Sequence, residues 1–359
     1  MRAIIEEGLD LVDQAAQPSE ESRLQELEKT ISNTLHALRE EFHRNASVST
    51  RQEVLDLVAV LFFAHATSID SGGKGIGEHL LGTGSAVSAL NHFVDAALAR
   101  HLVPQSSGSD NNGRVRSGQF FTPLSNNDFT FAANIIRIFS REAAAFNALH
   151  DAGRDDLVNE VFSRFMSTSF VDEKEMGQYL TPPEIVRFMV QVGFHALNPT
   201  ARDALLDAEA VDAGIVLDPS CGVGSFLAEA IRLFHMEARK KSDAAVSQQW
   251  LSRFVGERVA GIDKSERMIR LAIINLGLFG RTNVQLRLAN ALARRGAEGQ
   301  YNSYLEGKVQ LILTNPPFGA TFRDVDMRHL QLLELAPKLN RRCFSLSATS
   351  TGSRPVGSS

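Results

Sequence analysis

Ile215 to Lys241 reads IVLDPSCGVGSFLAEAIRLFHMEARKK, and this stretch decides the fold. Ile215 to Asp218 is a short apolar run closed by an acid, the pattern of a buried strand. The residues PSCGVG then form a turn, in which Gly222 and Gly224 let the backbone bend tightly beside a ligand. From Ser225 onward the apolar residues fall at helical spacing, so the turn feeds a helix whose first N–H groups are free. Strand, glycine turn and helix together make the nucleotide-cradling corner of a doubly wound sheet.

The same grammar repeats downstream. Val259 to Asp263 (VAGID) is a second strand, followed by a helix over Ser265 to Phe279. Val284 to Asn290 (VQLRLAN) is a third strand, and Val309 to Asn315 (VQLILTN) is a fourth. A long helix and a loop fill Phe226 to Arg258. Alternating strands and helices predict right-handed crossovers and an α/β fold with a parallel sheet covered on both faces.

The strand ends carry the chemistry. Asp218 and Pro219 precede the glycines, so the corner lacks the G-x-G-x-x-G fingerprint of dinucleotide sites. An acid there disfavours pyrophosphate and suits a cationic ligand. Asp263 can accept hydrogen bonds from both hydroxyls of a ribose, or it can serve the N-terminus of the helix that starts at Ser265 and Glu266. Asn290 can read a base edge, or simply open a polar loop. The fourth strand ends in TNPPFG, Thr314 to Gly319. Pro316 and Pro317 cannot donate ladder hydrogen bonds, so the strand must stop there. They hold a stiff segment whose carbonyls have no built-in partners. The Asn315 side-chain oxygen adds a second acceptor, and two fixed acceptors suit a planar amino group with two N–H donors. Phe318 offers a flat face on which a base can stack.

Upstream, the chain reads as helical to about residue 105. Glu20 to Phe42 has Leu24, Leu27, Ile31, Leu35 and Leu38 on one face. Thr50 and Glu53 form a capping-box pattern before a helix beginning RQEVLDLVAVLFF, and Ala86 to Leu102 is another apolar stretch. The Gly-rich segment Ser71 to Gly84 is a loop; its GGKGIG string follows no strand and is read as a turn. Gln105 to Ser117 has the composition of a linker. Helices follow at Asp128 to Leu149 and Asp155 to Met166. GQFFTP at Gly118 is echoed by GQYLTP at Gly177, but two copies do not make a repeat architecture.

Composition narrows the function classes. With 359 residues the chain is long enough for two domains, and 43% hydrophobic with 22% charged residues is ordinary for a globular protein. The longest apolar run, Leu57 to Ala64, is far short of the ~20 residues that span a bilayer. The N-terminus has no secretory pattern. Two cysteines are too few for a disulfide framework, which fits a cytoplasmic setting. The ten histidines and two cysteines show no metal-ligand spacing, so no metal is expected. Cys221 is read as a small buried residue within the turn. The net charge of −5 means that any nucleic-acid binding relies on a local patch or on a partner subunit.

Taken in order, GQYLTP, DPSCGVG, Asp263, Asn290 and NPPF resemble the class I S-adenosylmethionine-dependent methyltransferases. More closely they resemble the adenine-specific DNA methyltransferases of the type I restriction-modification modification-subunit group. The likeness runs over about residues 155 to 320. It implies a Rossmann-like sheet preceded by an α-helical N-terminal domain, with domains at 1–154 and 155–343; the Ser-rich composition at 344–359, without apolar periodicity, predicts a disordered tail. It implies S-adenosylmethionine as cofactor, with Gln178, Tyr179 and Thr181 near its methionine part and Asp218, Pro219, Gly222, Gly224, Asp263 and Asn290 around the rest. It implies Asn315, Pro316, Pro317 and Phe318 as the catalytic segment, acting on the exocyclic amine of a flipped adenine. DNA, a specificity subunit and a restriction subunit are the implied partners, and no membrane. The alternatives are a protein or RNA methyltransferase using the same Asn-Pro-Pro-aromatic segment, or an inactive fragment that keeps an assembly surface. In the family the sheet continues past NPPF. Here only a helix candidate at Met327 to Leu335 and the Ser-rich tail follow, so the sheet is expected to be truncated after the fourth strand.

Overall fold

The computed structural model describes residues 20–44, 51–70, 75–77, 80, 85–102, 124–151, 155–170, 181–241, 244–279, 284–293 and 302–316. Among the described residues five α-helices come first: α1 (Glu20–Arg44), α2 (Arg51–Asp70), α3 (Ala86–Leu102), α4 (Phe129–Asp151) and α5 (Asp155–Phe170). The stripe expected on α1 faces inward, with Ile31, Leu35 and Leu38 fully buried and Leu24 and Leu27 packed at the margin. Helix α2 is buried continuously from Val58 to Ala64, as an apolar run without a polar face requires. Phe62 stacks on Phe162 of α5, and Phe42 meets Phe131 of α4 edge-on. His65 accepts a hydrogen bond at Nδ1 from the Ile76 N–H, at 2.9 Å, which seats the Gly75–Gly77 turn against α2. Burial holds this imidazole neutral, with its pKa pushed down to about 3.

Next come α6 (Pro183–Ala196) and α7 (Pro199–Leu206), which the sequence reading did not anticipate. Both begin on proline, at a position where the missing N–H costs nothing. Val186, Val190 and Phe194 form the inner face of α6. The remaining elements are β1 (Ile215–Asp218), α8 (Ser225–Arg239), α9 (Ala244–Arg253), β2 (Val259–Asp263), α10 (Glu266–Gly277), β3 (Gln285–Leu288) and β4 (Val309–Ile312).

The four strands form one parallel sheet in the order β3-β2-β1-β4. The first two strands have the bounds read from sequence. The third and fourth are shorter than expected, although the Leu313 N–H still bonds the Leu217 carbonyl at 3.0 Å beyond the end of β4. Side chains alternate across the sheet. Val216 and Val259 join the large core under α8 and α10, while Ile215, Leu217, Ala260 and Ile262 form a smaller cluster on the other face with Leu305 and Val309.

The segment between α8 and β2 is not the expected loop. Helix α9 occupies it and runs into a wider π turn at Phe254–Arg258. The reason is an aromatic anchor: Trp250 is buried, stacks on Phe254 and donates to the Leu205 carbonyl at 3.0 Å. Arg258 then donates to the carbonyls of Ala204, Leu205, Asp207 and Ala210, satisfying the C-terminal end of α7.

The helical layer and the sheet layer touch closely. Phe63 of α2 lies where a Cβ on Gly277 would sit only 2.6 Å from its ring. Arg267 of α10 reaches Asp56 of α2 at 3.0 Å. The Thr50 cap, the Gln105–Ser117 linker, both GQxxTP strings up to residue 180, the Met327–Leu335 helix and the Ser-rich tail lie outside the described residues.

Candidate active site

All four strands run in the same direction, so their carboxyl ends converge on one edge of the sheet, where parallel sheets place their ligands. Asp218, Asp263, Asn290 and the Thr314–Pro316 segment all lie there. At the end of β1 the turn is held by its own peptide groups. The Cys221 N–H donates to the Ile262 carbonyl at 2.9 Å, and the Gly224 N–H to the Cys221 carbonyl at 2.8 Å. Gly222 (φ 52°) and Gly224 (φ 81°) are both left-handed, a conformation in which glycine has no Cβ penalty. They differ in surroundings. A Cβ on Gly224 would meet Ala272 and Leu276 at 3.4 Å, whereas one on Gly222 would meet no described residue within 4 Å. Among the described residues Gly222 therefore has open space beside it at the strand ends, which is the room a close-lying ligand needs.

Asp218 is 1% exposed. Its Oδ1 accepts the Ser220 N–H at 3.0 Å. Burial pushes its carboxyl up to about 7, and the negative charge of Asp263 pushes the same way. The Ser220 N–H and the Thr314 hydroxyl pull less strongly in the opposite direction. Thr314 also shares a 2.6 Å hydrogen bond with the Ser220 hydroxyl, which joins the end of β4 to the turn after β1. Asp263 bridges two elements: Oδ2 accepts the Gly222 N–H at 2.9 Å and Oδ1 accepts the Ser265 N–H at 2.8 Å. Burial raises its carboxyl as well, against the pull of those backbone N–H groups. The helix cap itself is Ser265, whose hydroxyl accepts from the Met268 N–H at 3.3 Å. Asn290 opens its loop with Oδ1 accepting the Leu292 N–H at 3.0 Å. The Cys221 thiol is buried, and burial followed by the two nearby carboxylates drives its pKa well up, away from nucleophile chemistry.

The contact with most chemical meaning spans 134 residues of sequence. The Asn315 side-chain amide donates to the Thr181 hydroxyl oxygen at 3.0 Å. With one amide N–H spent on Thr181, Asn315 keeps its side-chain oxygen as an acceptor. Thr181 also borders a cavity of about 240 Å³ between α5, α6 and α8, together with Ser225, Glu229 and Arg232. The structure thus brings Thr181, Asp218, Pro219, Gly222, Gly224, Asp263, Asn290, Asn315 and Pro316 to one edge. Gln178, Tyr179, Pro317 and Phe318 lie outside the described residues.

Sequence reasoning missed Ser220 and Thr314, although both sit inside the motifs it singled out. It also missed Asn159 of α5 and Asn275 of α10, both fully buried. Their only signal is a polar residue on an otherwise apolar helix face. Among the described residues no three His, Cys, Asp or Glu side chains gather as a metal site. None of the described helices is long and apolar enough to cross a membrane.

Residues 153–344 match the profile of the family described as N-6 DNA Methylase. Two curated relatives are similar over part of the chain. The Type II methyltransferase M.MamI of Microbacterium ammoniaphilum is 30% identical over 165 residues, 46% of this chain and 40% of that protein. The Type I restriction enzyme EcoEI methylase subunit of Escherichia coli is 29% identical over 149 residues, 41% of this chain and 25% of that protein. The matched segment thus spans less than half the length of either relative. Among solved structures, one from a type I R-M system studied for its complex assembly aligns with a TM-score of 0.55 at 16% identity, over 91% of this chain and 62% of that one. A protein assigned as the modification subunit of a type I restriction enzyme from Vibrio vulnificus YJ016 aligns with a TM-score of 0.51 at 14% identity, over 84% of this chain and 63% of that one. At such identities these two likenesses concern the fold.

Proposed function

The chain belongs to the N-6 DNA Methylase family, and from that premise we propose that it is an S-adenosylmethionine-dependent adenine-N6 DNA methyltransferase subunit of a restriction-modification system. The observation that carries this reading is the Thr181–Asn315 hydrogen bond, which uses an amide N–H of Asn315 and leaves its side-chain oxygen as an acceptor after β4.

The residues present fit the cofactor. Gly222 leaves open space beside the turn, and Asp218 is a buried carboxylate that gains from a cationic neighbour. Asp218, Pro219 and the glycine turn would hold the cationic amino-acid end, together with Thr181 and, by the family likeness, Gln178 and Tyr179. Asp263 keeps lone pairs for the ribose hydroxyls beyond the two N–H bonds it already accepts. Asn290 would lie at the adenine ring. When bound, S-adenosylmethionine supplies an electrophilic sulfonium methyl.

The protein's task is then to make a poor nucleophile competent. The lone pair of an exocyclic adenine amine is delocalised into the ring. The Asn315 oxygen and the Pro316 carbonyl accept its two hydrogens, draw the nitrogen toward a tetrahedral shape and restore that lone pair. Such placed dipoles act where charge develops and need no strong base. Pro317 stiffens the segment, and Phe318 stacks on the base once it has left the duplex. The E. coli relative is a methylase subunit of a Type I restriction enzyme, which supports a specificity subunit and a restriction subunit as partners. A cytoplasmic setting follows from that role.

The test begins with titration calorimetry of S-adenosylmethionine, followed by tritiated-methyl transfer to DNA in the presence of a specificity subunit from the same source. Asn315→Ala should bind the cofactor nearly as well as wild type and lose transfer by about 100- to 1,000-fold, the usual effect of removing one oriented group at a transition state. Transfer by Asn315→Ala at the wild-type rate would reject the assignment.

A further inference from the structure

The geometry points to Asn275 and Asn159 as positioning residues of the Gly222–Gly224 turn, which tie it to the N-terminal helical layer; this rests on the cofactor reading above. Of the N–H groups of the turn, that of Cys221 bonds the Ile262 carbonyl of β2, that of Gly222 bonds Asp263 and that of Gly224 bonds the Cys221 carbonyl. Its Val223 carbonyl is held differently. It accepts from the Asn275 side-chain amide at 3.0 Å, in a fully buried contact. A peptide flanked by two left-handed glycines has little local preference for which way its carbonyl points, so a distant donor decides it.

The Asn275 amide is itself oriented. Its Oδ1 accepts from Asn159 Nδ2 at 3.0 Å and from the Ser163 hydroxyl at 3.0 Å, both on α5. Asn159 Nδ2 also donates to the Asn275 backbone carbonyl. With two donors on its oxygen, Asn275 has only its NH2 to turn toward Val223. Asn159 is fixed in turn, because its Oδ1 accepts from Arg232 Nη2 of α8 at 3.0 Å. Asn159 and Asn275 are 0% and 1% exposed, so no water competes for these bonds. Helix α5 also joins the outer layer through the Arg164–Glu28 ion pair to α1 and the Phe162–Phe62 stack on α2. A shift of α5 against α10 is therefore delivered to the cofactor turn as a rotated carbonyl. Neither asparagine touches the ligand region; both act through Val223.

Two readouts on the 359-residue chain test this: S-adenosylmethionine affinity by calorimetry, and amide deuterium exchange over residues 219–227 in ligand-free protein. Asn275→Leu should weaken affinity about tenfold, equivalent to about 1.4 kcal/mol, and speed exchange in the turn. Asn159→Leu should weaken it about threefold, and the double variant should lose less than the product of the two factors. Ser163→Ala removes the hydroxyl that reaches Asn275 Oδ1 at 3.0 Å and Asn159 Oδ1 at 3.5 Å, carries the test if Asn275→Leu does not fold, and should cost about twofold. Ile135→Ala, buried in α4 away from the network, should lower the melting temperature while leaving affinity and turn exchange unchanged. Wild-type affinity and exchange in the asparagine variants would overturn the proposal, as would an equal effect of Ile135→Ala. If wild type fails to bind the cofactor, the functional assignment falls, while exchange in the ligand-free turn still decides whether Asn275 and Asn159 position it.

Discussion

Replacing Asp218 by Asn should change how stability depends on pH. The carboxyl is held up from 3.8 to about 7, chiefly by burial. Between those values the folded chain keeps a proton that the unfolded chain has lost. Stability contributed by this site is therefore greatest at low pH and falls as pH rises through that window. A shift of about three units corresponds to about 4 kcal/mol at 1.36 kcal/mol per unit. That is an upper figure, since Asp263 titrates in the same site and is raised as well. Asn keeps an oxygen for the Ser220 N–H and cannot ionise. The variant should therefore match wild type near pH 4 and exceed it by up to ~4 kcal/mol at pH 8. It should also bind S-adenosylmethionine much more weakly at pH 8, because the buried charge that a cation would neutralise is gone. Wild-type affinity should rise with pH up to about 7 for the same reason. Urea denaturation at half-unit steps from pH 4 to 8.5, run on both proteins, measures the difference and cancels the carboxylates remote from the site, leaving Asp218 and its coupling to Asp263. If the two stability curves stay parallel across pH 4 to 8, Asp218 is not the titrating group and the account of its burial is wrong.

The two glycines of the turn should separate by their surroundings. Gly222→Ala should cost about 1 kcal/mol of stability for its left-handed backbone but abolish cofactor binding, since its Cβ enters the open side of the turn. Gly224→Ala should cost more stability, because its Cβ also presses on Ala272 and Leu276; equal stability losses in urea would contradict this. Arg258→Met should destabilise the fold by about 2–3 kcal/mol, because it strips the donors from carbonyls at the end of α7. Calorimetry should show S-adenosylmethionine affinity within about twofold of wild type for Arg258→Met, since none of those carbonyls is at the strand ends.

The sheet was readable because its information is local. Each strand is a short apolar run closed by Asp, Asn or proline, and a buried parallel strand needs no partner to be recognised in sequence. For β1 and β2 even the bounds were legible. The Pro-Pro pair set a limit that β4 cannot pass, since proline lacks the ladder N–H wherever it sits, although β4 itself stops earlier, at Ile312. The strand-end residues could be named for the same reason: parallel strands put every carboxyl end on one edge.

What the sequence could not contain was who meets whom across the fold. Helix α9 exists because Trp250 and Arg258 find the carbonyls at the end of α7, a partner some 45 residues away and invisible to periodicity. Asn315 finds its partner in Thr181, the Val223 carbonyl finds its donor in Asn275, and Asn275 in turn meets Asn159. A hydrogen bond is short-ranged and directional, so it belongs to the packed structure and not to spacing along the chain. Sequence alone therefore determined the class of sheet and which residues stand at its ligand edge. Only the tertiary structure decided which partners those side chains meet, how burial shifts their carboxyl groups, and that Asn275 and Asn159 join the Val223 carbonyl to α5.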